Sequence, residues 1–330
     1  MIRTNQNGRC GHIIPDTLLR KEDLRELRKH LIFESTIEEL IETGPVFKEV
    51  RDTWCLILIV THQQPSKYHR IQHKKISRFI VSVEERLEKF GLQEWSQNTK
   101  SAQLQWARKQ DHIIGYNASR CEQSIIQKIE NNSETLRNSS LKFIISRGEE
   151  GSKQKLTPDP KGNFMIVIPE DINRYEINDG VLIKSSELSP IKMQKFYSCP
   201  KIWCIRIQKL RWKQRIVCSF DPRDNSAGMK TLQIIISYSN QKDNLLFAST
   251  LLSSKLLNFW CEDYLVDDMN KSYLEKIPIR KISFNTNSDR RQQSLEKLIK
   301  SYQEKQEILK EIEEHIRREE TDIVMIFWPT

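Results

Sequence analysis

The feature that most constrains the fold is a run of apolar residues from Trp54 to Val60, the longest in the chain. A membrane-spanning helix needs roughly 20 apolar residues, so this run is far too short to cross a bilayer. It has the length of one β-strand, and near-continuous apolar strands are typical of α/β sheets in which both faces are buried. The run therefore predicts a strand inside an α/β sheet.

The residues before this run predict neighbouring elements of the same sheet. Cys10 to Ile14 forms a short apolar strand that ends at Pro15, and Thr36 to Ile41 forms a second strand. Between them, apolar residues at helical spacing predict a helix over Leu18 to Phe33, with Asp16 as its N-cap. Residues 1–64 are too few for a complete nucleotide-binding domain, so we expect only the last part of such a sheet.

The remaining sequence divides into three segments. Residues 65–140 are polar and predict a helical connector, in which Trp95 to Trp106 forms a loop. Residues 141–285 contain short alternating strands and a helical stretch, which predict a compact mixed α/β domain. Residues 286–330 begin with a long polar helix, Arg290 to Glu320, that carries a narrow apolar stripe and precedes an apolar tail.

Charge is concentrated in one part of the chain. The net charge is +9, and the 36 residues from Lys195 to Lys230 contain nine Lys/Arg and two acids, which accounts for +7 of it. Such a patch can be an electrostatic footprint for nucleic-acid phosphates. It can equally be a solvated strand face whose counterions lie elsewhere in the fold, and the charge pattern does not separate these two interpretations.

Motifs for common catalytic and metal chemistry are absent from the sequence. It has no G-x-G-x-x-G, phosphate-binding P-loop, G-x-S-x-G or H-E-x-x-H motif. Cys199, Cys204 and Cys218 lack a fourth ligand at regular spacing, so no zinc site is expected. The seven scattered cysteines indicate reduced thiols in a cytoplasmic protein. We therefore expect no catalytic residue and no metal ligand in this chain.

Several segments, in order, resemble one enzyme family. The segments GRCGHIIPDTLL, LRELRKHL and STIEELIETGPVFKEVRDTWCLILIV are similar to the last part of the catalytic domain of N6-adenine DNA methyltransferases. In that family a glycine-started strand ends in Ile-x-Pro, a helix carries Leu-Arg-x-x-Leu, and a Val-Phe loop precedes the final strands. These features fall here at Gly11 to Pro15, Leu27 to Leu31, and Val46-Phe47.

The later segments resemble the TaqI-like target-recognition domain that follows in such enzymes. Ser146-Arg147-Gly148 is similar to its opening, and Pro200 to Arg206 with Leu210 to Cys218 is similar to its basic central strands. Leu251 to Leu257 resembles its Leu-Asn-Ser-Lys helix, with Ser253 in place of Asn. Tyr273 to Ile279 resembles its closing segment, with Arg280 in place of the second Pro. Modification methyltransferases and type IIG restriction-modification enzymes share this layout.

The resemblance implies an α/β fold: the C-terminal fragment of a Rossmann-like methyltransferase sheet, then a mixed α/β target-recognition domain and a C-terminal helix. The family binds S-adenosylmethionine through a glycine-rich loop and holds the target adenine with Asn/Asp-Pro-Pro-Tyr. This sequence has neither motif. We therefore expect no cofactor and no catalytic residue in this chain, and expect the chain alone to be inactive.

The resemblance implies that residues 141–285 recognise the sequence of double-stranded DNA. Arginine suits guanine because its fork donates two hydrogen bonds to O6 and N7, whereas lysine suits phosphates. The basic residues of this region are the candidates for DNA contacts: Arg147, Lys201, Arg206, Lys209, Arg211, Lys213, Arg215 and Arg223. Trp203 and Trp212 lie among them and are either core residues or contacts to a sugar or flipped base. Methylation would need a separate methyltransferase catalytic chain, and a non-catalytic subunit that docks on such a chain is the alternative.

Overall fold

The computed structural model describes residues 8–47, 53–115, 120–150, 157–207, 214–238, 241–264 and 268–281, together with helical residues between 293 and 308. The fold is mixed α/β, as the sequence predicts. The chain forms two compact units. The first comprises Met1–Ile126, Gln208–Arg215 and Trp260–Asp268, and the second comprises Gln127–Ile207, Ile216–Phe259 and Met269–Thr330.

The first unit contains a five-stranded mixed sheet. Its strands, in chain order, are β1 (Arg9–Pro15), β2 (Thr36–Gly44), β3 (Cys55–Thr61), β4 (Arg70–Lys75) and β5 (Gln97–Ala102). Their order across the sheet is β1-β3-β2-β4-β5. β3 pairs antiparallel with both β1 and β2, while β4 pairs parallel with β2. The apolar run therefore forms an inner strand, as predicted.

The core of the first unit lies on one face of this sheet. Leu56 and Leu58 of β3 pack there with Leu40 of β2, and all three are buried. Two further elements pack into the same core: helix α1 (Arg25–Glu34) contributes Ile32, and the 3₁₀ segment Gln103–Arg108 contributes Trp106. The alternation of the strand thus directs one set of apolar side chains into a closed core.

The helix predicted over Leu18 to Phe33 is shorter in the structure. Two 3₁₀ turns, Asp16–Leu19 and Glu22–Leu24, precede α1, and Lys21 between them is extended with φ −63° and ψ 133°. Asp16 lies inside the first turn, where Pro15 takes the N-cap position, so the predicted cap is wrong. Leu18 and Leu19 have the spacing of a helix, but both reach the core from a tight turn.

The segment predicted as a helical connector contributes to the first sheet instead. Residues 65–140 contain β4 and β5, with α2 (Val83–Gly91) between them, and α3 (Arg120–Asn131) after them. β5 falls within the stretch expected to be a loop. Five of its six residues, Gln97 to Ser101, are polar, as suits an edge strand whose partner among the described strands is β4. Residues 65–126 therefore belong to the first compact unit together with residues 1–64.

The second unit contains three small sheets. A four-stranded sheet has the order β11-β10-β13-β7, a three-stranded sheet β12-β8-β9, and a two-stranded sheet β14-β6. The strands are β6 (Ser133–Thr135), β7 (Phe143–Arg147), β8 (Phe164–Val167), β9 (Val181–Ile183), β10 (Lys201–Ile205), β11 (Cys218–Asp221), β12 (Ser226–Gly228), β13 (Leu232–Ser237) and β14 (Pro278–Arg280).

The helices of the second half begin with the short α4 (Pro190–Lys192), which continues into a π-helical turn, Met193–Tyr197. α5 (Lys242–Leu252), α6 (Lys255–Tyr264) and α7 (Lys271–Lys276) follow. The single helix predicted over Leu245 to Phe259 is divided at Ser253 and Ser254 into α5 and α6. Residues 299–308 are helical, in agreement with the helix predicted from Arg290; its further course lies outside the described residues.

Several cations of this basic chain are used inside the fold. The fully buried Arg28 guanidinium donates to the backbone oxygens of Leu18, Lys21 and Asp111. The fully buried Arg86 donates to the backbone oxygen of Thr43 at 3.0 Å and to that of Ile80. These side chains supply hydrogen bonds to backbone carbonyl groups inside the fold. Part of the positive charge is therefore structural.

A buried ionic cluster surrounds Glu42 in the first unit. Its carboxylate accepts from His73 Nε2 at 2.8 Å, and it lies 3.2 Å from Lys75 Nζ and 3.9 Å from Arg20 Nη2. Burial opposes ionisation of this group, but Lys75, His73 and Arg20 together hold the pKa of Glu42 well below its usual range. The ionised form is thus favoured in the folded chain.

We expect Glu42→Gln to destabilise the chain by roughly 3–5 kcal/mol at pH 7, because three cationic or hydrogen-bonding partners lose their carboxylate. A carboxyl whose folded pKa is depressed stabilises the fold above its unfolded pKa, and this contribution disappears as pH falls through the folded pKa. The difference between variant and parent should therefore shrink in acid. Urea unfolding at pH 7 and at about pH 3.5 measures it, with the exposed Glu88→Gln as the matched control.

Candidate nucleic-acid interface

Basic side chains converge at one end of the four-stranded sheet of the second unit. Arg147 is the last residue of β7, Arg206 directly follows β10, and Lys230 lies in the turn before β13. The Arg206 amide donates to the Thr231 oxygen at 2.9 Å, and Arg147 Nε donates to the Lys230 oxygen at 3.1 Å. Strand pairing thus brings together residues that are far apart in the sequence.

Lys192 completes this group, which we call the basic sheet end: Arg147, Lys192, Arg206 and Lys230. Lys192 Nζ donates to the Gly148 oxygen at 2.5 Å, directly after Arg147. The Arg147 side chain is 39% exposed and pairs with Glu150 at 3.2 Å, while Lys230 is exposed and Arg206 is half-buried. The basic sheet end therefore presents cations at the surface of the second unit.

Gly148 allows the close packing that positions Arg147. A Cβ at Gly148 would lie 2.2 Å from the Met229 oxygen and 2.3 Å from the Gly228 oxygen, which no side chain could tolerate. The Glu149 amide donates to the Gly228 oxygen at 2.7 Å across the same contact. The glycine is thus needed because backbone of this chain approaches it.

Two predicted DNA contacts, Lys201 and Arg223, lie at the opposite end of the sheet. Lys201 is fully buried, and its Nζ donates to the backbone oxygens of Tyr197 and Arg223 and to Ser226 Oγ. Burial lowers the pKa of Lys201 to about 8, against the opposing charge of Asp221. Lys201 is therefore an interior residue with no access to a phosphate, and the prediction of a phosphate contact is corrected.

Arg223 is tied to acidic side chains. Its Nε donates to Asp221 Oδ1 at 2.7 Å, and its Nη1 lies 3.4 Å from Asp179 Oδ1. The buried Asp221 carboxylate opposes Lys201 in the β10–β11 register. Burial would raise the pKa of Asp221, yet the bonds and charges of Arg223, Lys201 and Ser226 lower it. Arg223 is therefore part of this buried network of charged side chains, and it lines a cavity of about 670 Å³.

The remaining candidates divide into one buried residue and three that lie outside the described residues. Arg215 is buried and belongs to the first unit. Lys209, Arg211 and Lys213, with Trp212, fall outside the described ranges. Of the eight predicted residues, Arg147 and Arg206 thus lie together at the basic sheet end.

Lys192 and Lys230 are the site residues that sequence reasoning missed. Lys230 belongs to the basic window, but it stands in a turn, outside the strands that were predicted to read DNA. The signal that marks it is its position two residues before Leu232, the start of an apolar strand. Lys192 carries no comparable signal because it reaches the site through one contact across 44 residues of sequence.

Within the described residues, no three His, Cys, Asp or Glu side chains lie close enough together to hold a metal ion. The same part of the chain contains no helix that is both long and apolar enough to traverse a bilayer.

The solved structures that match this chain include restriction-modification enzymes of type ISP, IIL and IIG. The type ISP enzyme LlaGI, solved in complex with a DNA substrate mimic, matches 92% of this chain with 10% identity and a TM-score of 0.52. The type IIL enzyme MmeI, solved in complex with DNA, matches 83% with 11% identity and a TM-score of 0.48. The type IIG endonuclease BpuSI matches 91% with 10% identity and a TM-score of 0.42.

The chain spans 30% of the LlaGI chain, 39% of the MmeI chain and 42% of the BpuSI chain. No protein-family model and no curated protein matches the sequence. The likeness to LlaGI establishes a shared fold.

Proposed function

We propose that this chain is the sequence-specific DNA-recognition portion of a restriction-modification enzyme of the adenine-N6 methyltransferase class. The observation that carries the proposal is the basic sheet end, where Arg147 and Arg206 lie together with Lys192 and Lys230. Arginine forks can read guanine in the major groove, and both arginines and lysines neutralise phosphates. The segment order that resembles a TaqI-like target-recognition domain supports the same role.

The shared fold with part of LlaGI supports this proposal, since that enzyme was solved with a DNA substrate mimic. In the proposal, S-adenosylmethionine and the catalytic residues reside on a separate methyltransferase chain, and the complex works in the cytoplasm. This chain supplies the DNA sequence preference. Its own residues hold the duplex in register while the partner performs methyl transfer.

A non-catalytic subunit that docks on a methyltransferase chain is the second candidate, and one observation favours it. β1 is an edge strand of the first sheet, with β3 as its one partner among the described strands. Ile13 on this strand is 59% exposed. An edge strand with an exposed apolar residue offers main-chain donors and acceptors to a strand of another protein.

The proposed function predicts salt-dependent binding of double-stranded DNA. If the four cations of the basic sheet end each neutralise one phosphate, log K should fall against log salt with a slope of roughly −3 to −4. Fluorescence anisotropy of a labelled duplex with the full chain, between about 50 and 200 mM NaCl, should show an affinity loss of about 10²-fold. Absence of duplex binding at low salt would contradict the proposal and leave docking on a partner chain as the remaining role.

A further inference from the structure

Two cysteines face each other directly across the β10–β11 ladder. Cys204 opposes Cys218 in register, and the next pair is joined by a hydrogen bond from the Ile205 amide to the Val217 oxygen at 2.9 Å. Because hydrogen-bonded and non-hydrogen-bonded pairs alternate in an antiparallel ladder, Cys204 and Cys218 form a non-hydrogen-bonded pair. At such pairs the Cα atoms are about 4.5 Å apart and both side chains point to one face.

This geometry is compatible with a disulfide, which requires Cα atoms about 4.4–6.8 Å apart and Cβ atoms on converging vectors. The two thiols face each other on one side of the ladder. Hydrogen bonding with the Cys204 thiol lowers the pKa of Cys218, with further help from Ser253, whose Oγ lies 3.7 Å from the Cys218 sulfur. The Cys218 thiol and burial raise the pKa of Cys204.

The position of the pair in the chain gives the bond a consequence. Arg206 of the basic sheet end directly follows β10 and lies two residues after Cys204. A bond between Cys204 and Cys218 would fix the end of β10 that carries Arg206 to the edge strand β11.

We propose that Cys204 and Cys218 are a modification site: a disulfide that forms between them fixes the end of β10 next to Arg206 and changes the affinity of the chain for DNA. The effect on DNA rests on the proposed function, whereas formation of the bond does not. With hydrogen peroxide as oxidant, the Cys218 thiolate attacks one peroxide oxygen and releases hydroxide, which takes up a proton to become water. The Cys204 thiol then attacks the sulfenic sulfur, and its proton leaves with the sulfenic hydroxyl as the second water, so two thiols and one peroxide give one disulfide and two waters.

Access to the pair comes through the edge of the sheet. Both thiols are fully buried, but β11 is an edge strand with β10 as its one partner in the sheet. Edge strands open locally at lower free energy than central ones, so a small oxidant reaches the thiols during such openings. The exposed Cys121 reacts without opening and reports the oxidant dose.

The test is peroxide treatment of the full chain, followed by denaturation, thiol alkylation, digestion without reductant and mass spectrometry. The expected product is a linked Cys204–Cys218 peptide, lighter by two hydrogens and abolished by dithiothreitol. The oxidised chain should melt roughly 5–10 °C higher than the reduced chain, since a closed loop of about 15 residues restricts the unfolded state. Cys204→Ser should abolish the linked peptide and the shift, while the matched control Cys199→Ser, at another buried thiol, should retain both.

The oxidant is applied until Cys121 is fully oxidised, and again in mild urea that opens the edge strand. If Cys204 and Cys218 are still recovered as free thiols, the modification site is overturned. Duplex affinity is then compared between oxidised and reduced chain, with an expected change of at least about threefold. An unchanged affinity in a fully linked chain would overturn the effect on DNA. Absence of duplex binding in both states would instead contradict the proposed function and leave the disulfide in place.

Discussion

Replacing Arg147, Arg206 and Lys230 together with alanine should lower duplex affinity by roughly 10²- to 10⁴-fold at about 50 mM salt. The three side chains extend from the end of β7, the end of β10 and the turn before β13, and backbone bonds join these segments. Each lost base or phosphate contact costs on the order of 1–2 kcal/mol. The salt slope should become shallower by about 2.7, since three phosphates are no longer neutralised. Anisotropy titration over a salt series measures both quantities.

A matched triple variant separates this effect from a general loss of positive charge. Lys142, Lys184 and Lys300 are exposed residues of the second unit outside the basic sheet end, and Lys142 lies at the other end of β7. Replacing them with alanine removes the same charge but should weaken binding less than about threefold. The control triple variant should unfold near the parent temperature, because exposed substitutions change stability by about 0.5 kcal/mol or less each. Equal losses in the two variants would show that binding depends on net charge alone.

Trp203→Ala should destabilise the chain by roughly 3–5 kcal/mol, the cost of removing a fully buried large aromatic side chain. The Trp203 ring stacks on Tyr197 with centroids 6.3 Å apart, and its Nε1 donates to the buried Asp221 carboxylate at 3.0 Å. Its far edge fills the space over Gly228, where a Cβ would come within 2.5 Å of the ring. Urea unfolding at neutral pH measures the loss.

Trp203→Phe is the control that separates packing from the hydrogen bond. It retains an aromatic ring and removes the Nε1 donor, while Asp221 keeps its bonds from Arg223 and Ser226. Its cost should be smaller, about 1.5–3 kcal/mol. Under conditions where both variants are folded, each should bind duplex DNA like the parent. A stable Trp203→Ala protein with lost DNA binding would instead make Trp203 a contact residue.

The sequence was sufficient to predict strands that carry a strong apolar signal. The run from Trp54 to Val60 corresponds to β3, and the strand predicted from Cys10 to Ile14 corresponds to β1. β5 was missed because an edge strand of polar residues carries no apolar periodicity. The helix before β2 was overextended because Leu18 and Leu19 have helical spacing but enter the core from a 3₁₀ turn.

The candidate site was harder to predict because charge alone does not show whether a side chain reaches the surface. Lys201 is alternately spaced on its strand, yet β10 is buried on both faces. Its partner Asp221 is 20 residues away and is brought opposite by the antiparallel register. Arg147 and Arg206 meet for the same kind of reason, through strands paired on either side of β13. Such pairings are properties of the fold and leave no local pattern in the sequence.

The most direct test of the basic sheet end as the DNA-binding surface is side-chain footprinting of the full chain with and without duplex. Lysine acetylation and arginine modification, read by mass spectrometry, should show Arg147, Lys192, Arg206 and Lys230 protected by DNA. The exposed control residues Lys142, Lys184, Lys300 and Arg280 should keep their reactivity. Protection of the control residues, with the four residues of the basic sheet end as reactive as in free protein, would contradict the account.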